Sequence, residues 1–123
     1  MSSRVPKPHY GLLWLAALAL ASCASQGPAS SRDTFYDGLS VEEAAIARQA
    51  VQEALETRLS DDTLRWIHGN GSSGSVTPLR TFRIKTGHYC RDFAETVNTG
   101  AQPVSAVRTA CRGGQGTWGV VKR

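Results

Sequence analysis

The 123-residue chain has no apolar run long enough to cross a bilayer: its most hydrophobic stretch is Gly11 to Ala21, and a spanning helix needs about 20 residues. Acidic residues are missing ahead of that stretch, where Arg4 and Lys7 stand. A basic tail before a short apolar segment is the layout of a secretory signal. Catalytic signatures are missing too. No Gly-x-Ser-x-Gly elbow presents a serine nucleophile. The stretch Gly69-Asn70-Gly71-Ser72-Ser73-Gly74 lacks the following helix and Lys-Ser/Thr pair of a phosphate loop, so it reads as a turn. No enzyme activity and no cofactor are expected.

What is present begins with Leu20-Ala21-Ser22-Cys23, small residues and a cysteine closing the apolar run. This is the pattern processed in bacterial lipoproteins. It predicts cleavage before Cys23, acylation of Cys23, and attachment to a membrane through the acyl chains. Ala24 after the cysteine, in place of Asp, favours delivery to the outer membrane of a Gram-negative cell. Residues 1–22 are then a signal peptide, residues 23–39, rich in Ser, Gly, Pro and Ala, a lipid-anchored tether, and residues 40–123 a single domain. Asp33, Phe35 and Tyr36 are placed to be the tether's first contact with the folded part.

Without residues 1–22 the chain keeps 12 basic and 10 acidic side chains, net +2, too weak a balance to imply a nucleic-acid partner. The charge is uneven, −3 over residues 24–59 and +5 over residues 60–123, as for an acidic helix facing a basic sheet. Three cysteines are odd for an exported chain. Assigning Cys23 to lipid leaves Cys90 and Cys111 as an even pair for a disulfide. A free thiol is the alternative, and no base is visibly arranged beside either cysteine.

Ser40 followed by Glu43 forms a capping box, and Ala44, Ala47, Val51, Ala54, Leu55 and Leu59 recur near the helical period, predicting a helix over 41–59. Ile46 is expected nearly opposite that stripe. Beyond Asp62, short β-branched and aromatic runs separated by turn residues predict strands at 64–68, 75–85, 88–98, 104–112 and 117–122. The fold class is therefore α+β: one N-terminal amphipathic helix packed on a small antiparallel β-meander with one disulfide. Placing Cys90 opposite Cys111 sets Phe93 across from Arg108 and Glu95 diagonal to it, allowing ring stacking and a salt bridge on the face away from the cysteines. Alternation does not reveal which face is buried, because both carry polar residues.

The run Gly87-His88-Tyr89-Cys90-Arg91-Asp92-Phe93, then Glu95-Thr96-Val97, Thr109-Ala110-Cys111-Arg112 and Trp118, resembles the C-terminal domain of the rickettsial seventeen-kilodalton surface antigen family of outer-membrane lipoproteins. Trp66 and Gly74-Ser75-Val76-Thr77-Pro78 resemble the segment that precedes it. The resemblance covers about residues 60–121 and implies a surface or periplasmic lipoprotein domain without established catalytic residues. Two departures stand out. The family's Pro-Asp-Gly before the last tryptophan is replaced by Gly113-Gly114-Gln115-Gly116, and the glycine-zipper segment of the namesake antigens is missing.

Remaining candidates are few. Arg80, Arg83, Lys85, Arg91, Arg108 and Arg112 are candidates for a basic patch, with Arg83, Arg91 and Arg108 as its anion-binding face and lipopolysaccharide or an envelope protein as possible partners; solvating and protecting the sheet is the alternative role. His88 and Cys90 share a strand face, but a metal needs three or four donors and a thiolate, and the bridge removes Cys90, so no metal site is expected. The sequence thus describes a lipid-anchored outer-membrane protein with a structural or binding role.

Overall fold

A computed structural model describes residues 3–4, 33–69 and 71–122. Helix α1, Val41–Thr57, is followed by strands β1 (Leu64–His68), β2 (Ser72–Arg83), β3 (Tyr89–Asn98), β4 (Val104–Arg112) and β5 (Trp118–Val121). The strands form one antiparallel sheet in the order β1-β2-β3-β4-β5. This is the predicted α+β meander. Among the described residues, no helix is long and apolar enough to cross a membrane.

The capping box starts α1 as expected. The Glu43 amide donates to Ser40 Oγ at 3.1 Å and the Ser40 amide to Glu43 Oε1 at 3.0 Å, satisfying two amides that have no partner inside the helix. The buried stripe is Ala44, Ala47, Ala50, Val51, Ala54 and Leu55. Its small side chains bring the helix close to the sheet, where Leu64, Trp66, Val76, Phe93, Val97, Ala110 and Trp118 complete the core. Two details of the predicted stripe change. Leu59 is 79% exposed, because the helix stops at Thr57 and Arg58 is extended at φ −91° and ψ 142°, which throws Leu59 out of helical phase. Ile46 is partly buried against the core, because Ala50, one turn along the same side, belongs to the stripe and widens it.

The register of β3 and β4 is the predicted one. Cys90 pairs with Cys111, Phe93 with Arg108 and Val97 with Val104, and the Cys90–Cys111 disulfide is formed. β2 begins earlier than expected, at Ser72 instead of 75. The reason lies at Gly74, opposite Trp66: a Cβ there would sit 2.4 Å from Trp66 Nε1, so only glycine lets the indole lie across the strand. Further along β2 the pairing with β3 shifts between Pro78 and Thr81, a bulge of one extra residue.

The β2–β3 and β4–β5 connections are the same turn built twice. In the first, the Ile84 amide donates to His88 O and the Gly87 amide to Ile84 O; in the second, Gly113 donates to Thr117 O and Gly116 to Gly113 O. Gly87 and Gly116 take φ of +88° and +83°, the left-handed position that closes such hairpins and favours glycine. The departure Gly113-Gly114-Gln115-Gly116 therefore keeps the one glycine that the turn requires.

Candidate functional site

Helix α1 covers the sheet face that carries Arg91, Phe93, Glu95 and Val97 on β3, and leaves the opposite face, with Asp92 and Thr96, more open. The arginines singled out from sequence therefore have different fates. Arg108 and Arg91 both lie on the covered face, and only Arg83 is exposed. They do not form one exposed face.

Arg108 is the centre of a buried network. Its Nη1 donates to Glu95 Oε1 at 2.7 Å and to the Tyr36 hydroxyl at 3.3 Å, and its Nη2 donates to Asp33 Oδ2. Tyr36 in turn donates to Glu95 Oε2 at 2.7 Å. The guanidinium lies over the rings of Phe35 and Tyr36, at 4.7 and 5.5 Å, and Arg48 covers Tyr36 at 5.1 Å. The anticipated Glu95–Arg108 salt bridge is present, but the stacking partners are these two rings and not Phe93. Residues 33–37, a short helical turn capped by Asp33, thus form a strap folded against the domain, the contact expected of Asp33, Phe35 and Tyr36.

Burial governs the electrostatics here. Glu95 is only 1% exposed, and loss of solvent pushes its carboxyl above the usual range, although Tyr36 and Arg108 pull the other way. The Tyr36 phenol is pushed well up by burial and by the neighbouring Glu95. Burial would lower the Arg108 guanidinium, but Asp33 and Glu95 outweigh it and the net movement is upward. A buried cation left without these partners would be strongly unfavourable.

Arg91 does a different job. Its Nη1 donates to the carbonyls of Leu55 and Arg58, both at 2.8 Å, capping the C-terminal end of α1 where carbonyls have no intrahelical partner. Burial holds this guanidinium below its ordinary value. Nearby, Gln52 clasps the main chain of β5, its Nε2 donating to Trp118 O at 2.6 Å and its Oε1 accepting from Trp118 N at 2.8 Å. Glu56 accepts from Trp118 Nε1 at 2.8 Å and from Arg112 Nε and Nη2 at 3.1 Å each. The Arg112 contacts, then the indole, lower the Glu56 carboxyl. None of these helix-to-β5 contacts was apparent from the sequence, because a Gln and a Glu on a helix carry no mark of a strand more than sixty residues away.

Cys90 is bonded to Cys111, so it offers no thiolate, and His88 Nδ1 is shared with the Thr86 hydroxyl at 2.8 Å. Among the described residues no group of three His, Cys, Asp or Glu side chains is placed to hold a metal. Cys23 lies outside the described residues.

With the paired cysteines, their flanking arginines and the two buried tryptophans in place, the matches to known proteins fall on this same unit. The family described as "17 kDa outer membrane surface antigen" matches residues 53–119. The chain belongs to this family. The proteins named "17 kDa surface antigen" from Rickettsia conorii and Rickettsia rickettsii are each 39% identical over 85 residues, covering 68% of this chain and 54% of theirs. That of Rickettsia bellii is 36% identical over the same shares. The chain thus spans about half the length of these family members. No solved structure matches it.

Proposed function

We propose that this protein is an outer-membrane surface lipoprotein, held through acylated Cys23, whose domain has a structural or binding role without catalysis. The observation that carries this reading is the Cys90–Cys111 bridge. The chain has three cysteines, so the one left outside the bridge is Cys23, which closes the Leu20-Ala21-Ser22-Cys23 motif. Membership of an outer-membrane surface antigen family supports the same location. The inner shell of the domain supports a non-catalytic role, since Glu95, Tyr36 and Arg108 are engaged with one another.

Metabolic labelling with an alkyne fatty acid in a Gram-negative host tests the anchor. The wild-type chain should be labelled and sediment with outer membranes, and Cys23→Ser should lose both label and membrane retention. Processing and retention of the Cys23→Ser protein equal to wild type would overturn the reading.

A further inference from the structure

Beyond the end of α1 the covered sheet face continues without a helix above it. There the paired turns place one row of side chains across four strands. Arg83 stands opposite Tyr89, Arg112 opposite Trp118, and Tyr89 and Arg112 are one step beyond the Cys90–Cys111 pair in the same register. Behind this row, the bulge in β2 brings Thr81 opposite Arg91. Leu55 and Glu56, from the last turns of α1, lie over the inner edge. Together Leu55, Glu56, Thr81, Tyr89, Arg91 and Arg112 line a cleft of about 320 Å³ that ends at Trp118, near the lower limit of small-ligand sites.

The donors of this cleft are only partly used. Arg91, 7% exposed, spends Nη1 on the helix carbonyls, and its buried Nε meets no acceptor among the described residues. Arg112 spends Nε and Nη2 on Glu56. Arg83, at the rim, stacks at 5.1 Å over Tyr89 and reaches Gly87 O through Nε and Nη2. Tyr89 remains 50% exposed. Two guanidiniums, Arg91 and Arg112, and one carboxylate, Glu56, line the cleft; with Arg83 stacked on Tyr89 at its rim, the surplus is two positive charges.

We propose that this cleft is a binding site for a phosphomonoester on a small carrier, held by Arg83, Arg91 and Arg112 with Tyr89 as the wall for the carrier. A phosphomonoester brings close to two negative charges at neutral pH and three acceptor oxygens, which matches the surplus charge and the free guanidinium donors. The site does not depend on the anchor and goes beyond the anchoring role. Of the three arginines expected to form an anion-binding face, Arg108 is withdrawn into the strap network, and Arg112, from the wider basic patch, takes its place.

The test follows amide and indole resonances of the full chain in zwitterionic detergent micelles during titration with glucose 1-phosphate, with glucose as control. Retention on phosphatidylcholine vesicles with and without phosphatidic acid distinguishes a lipid-borne phosphomonoester from a free one. Saturable shifts at Tyr89, Arg91 and Trp118 are expected with glucose 1-phosphate and not with glucose. Arg83→Gln should weaken binding about tenfold. Glu56→Gln, which removes the one carboxylate and releases Arg112, should tighten it, a change that a merely structural role would not produce. Vesicle retention that needs both phosphatidic acid and Arg83 would assign the lipid source, and its absence alongside binding of glucose 1-phosphate the free one. No saturable shift together with no retention, or binding unchanged by Arg83→Gln and Glu56→Gln, would overturn the proposal.

Discussion

Two ends of the same sheet face use arginine in opposite ways. At the strap end, Arg108 is covered by Phe35 and Tyr36 and bound to Glu95 and Asp33. At the turn end, Arg112 and Arg83 stand at an open cleft, and Arg91 behind them is held by helix carbonyls. The residue type and the face are the same. What differs is the element laid over the sheet: at one end an aromatic strap bearing a carboxylate, at the other the end of a helix. A buried arginine needs acceptors buried with it: carboxylates for Arg108, helix carbonyls for Arg91.

The largest effect should come from the closed end. Arg108→Ala leaves Glu95 and Asp33 without their cation, and urea unfolding should show a loss of about 3–5 kcal/mol, as for breaking a buried ion pair. A loss no larger than that of an exposed pair would remove the distinction between the two ends. Next is the bridge shared by β3 and β4, closing a separation of 21 residues. Cys90→Ala and Cys111→Ala should each cost about 2–4 kcal/mol, and the double variant little more than either. Unequal single costs would show that one cysteine contributes mainly by packing.

At the open end, Arg91→Ala removes two bonds to the α1 carbonyls, and the cost should be about 1–3 kcal/mol. Hydrogen exchange at the amides of the last helical turn should rise in this variant and stay unchanged in Arg83→Gln. Exchange equal in both would mean that the helix end does not rely on Arg91.

The smallest effect is the pH dependence, and it has opposite sign at the two ends. The ordinary value for Glu95 is 4.5 and burial raises it in the fold. The folded state then holds that proton more tightly than the unfolded state, so this contribution is complete below pH 4.5 and lost as pH rises through the raised value. Glu56 is lowered from 4.5 by Arg112 and Trp118; its contribution is present above pH 4.5 and lost as pH falls through the lowered value. Melting temperatures across pH 3–8 should show Glu95→Gln flattening the fall above 4.5, and Glu56→Gln flattening the fall below it. Flattening on the same side in both variants would contradict the contrast.

The sequence by itself determined the local elements and the pairing of neighbouring strands. Ser40 and Glu43 mark the start of α1, Gly87 and Gly116 the turns, and Cys90 with Cys111 the register of β3 on β4. Each is specified by residues close in the chain or by a covalent bond, so short-range chemistry suffices. The closing of the Glu95–Arg108 pair beneath residues 33–37, the clasp of Gln52 and Glu56 on Trp118, and the division of Arg91, Arg108 and Arg112 into different roles were decided only by tertiary structure. Both sheet faces carry polar residues, so alternation gives no sign of which one is covered. The covered face follows from where the small-residue stripe of α1 docks, and that docking sets the solvent exposure that turns a charge into either core or binding surface.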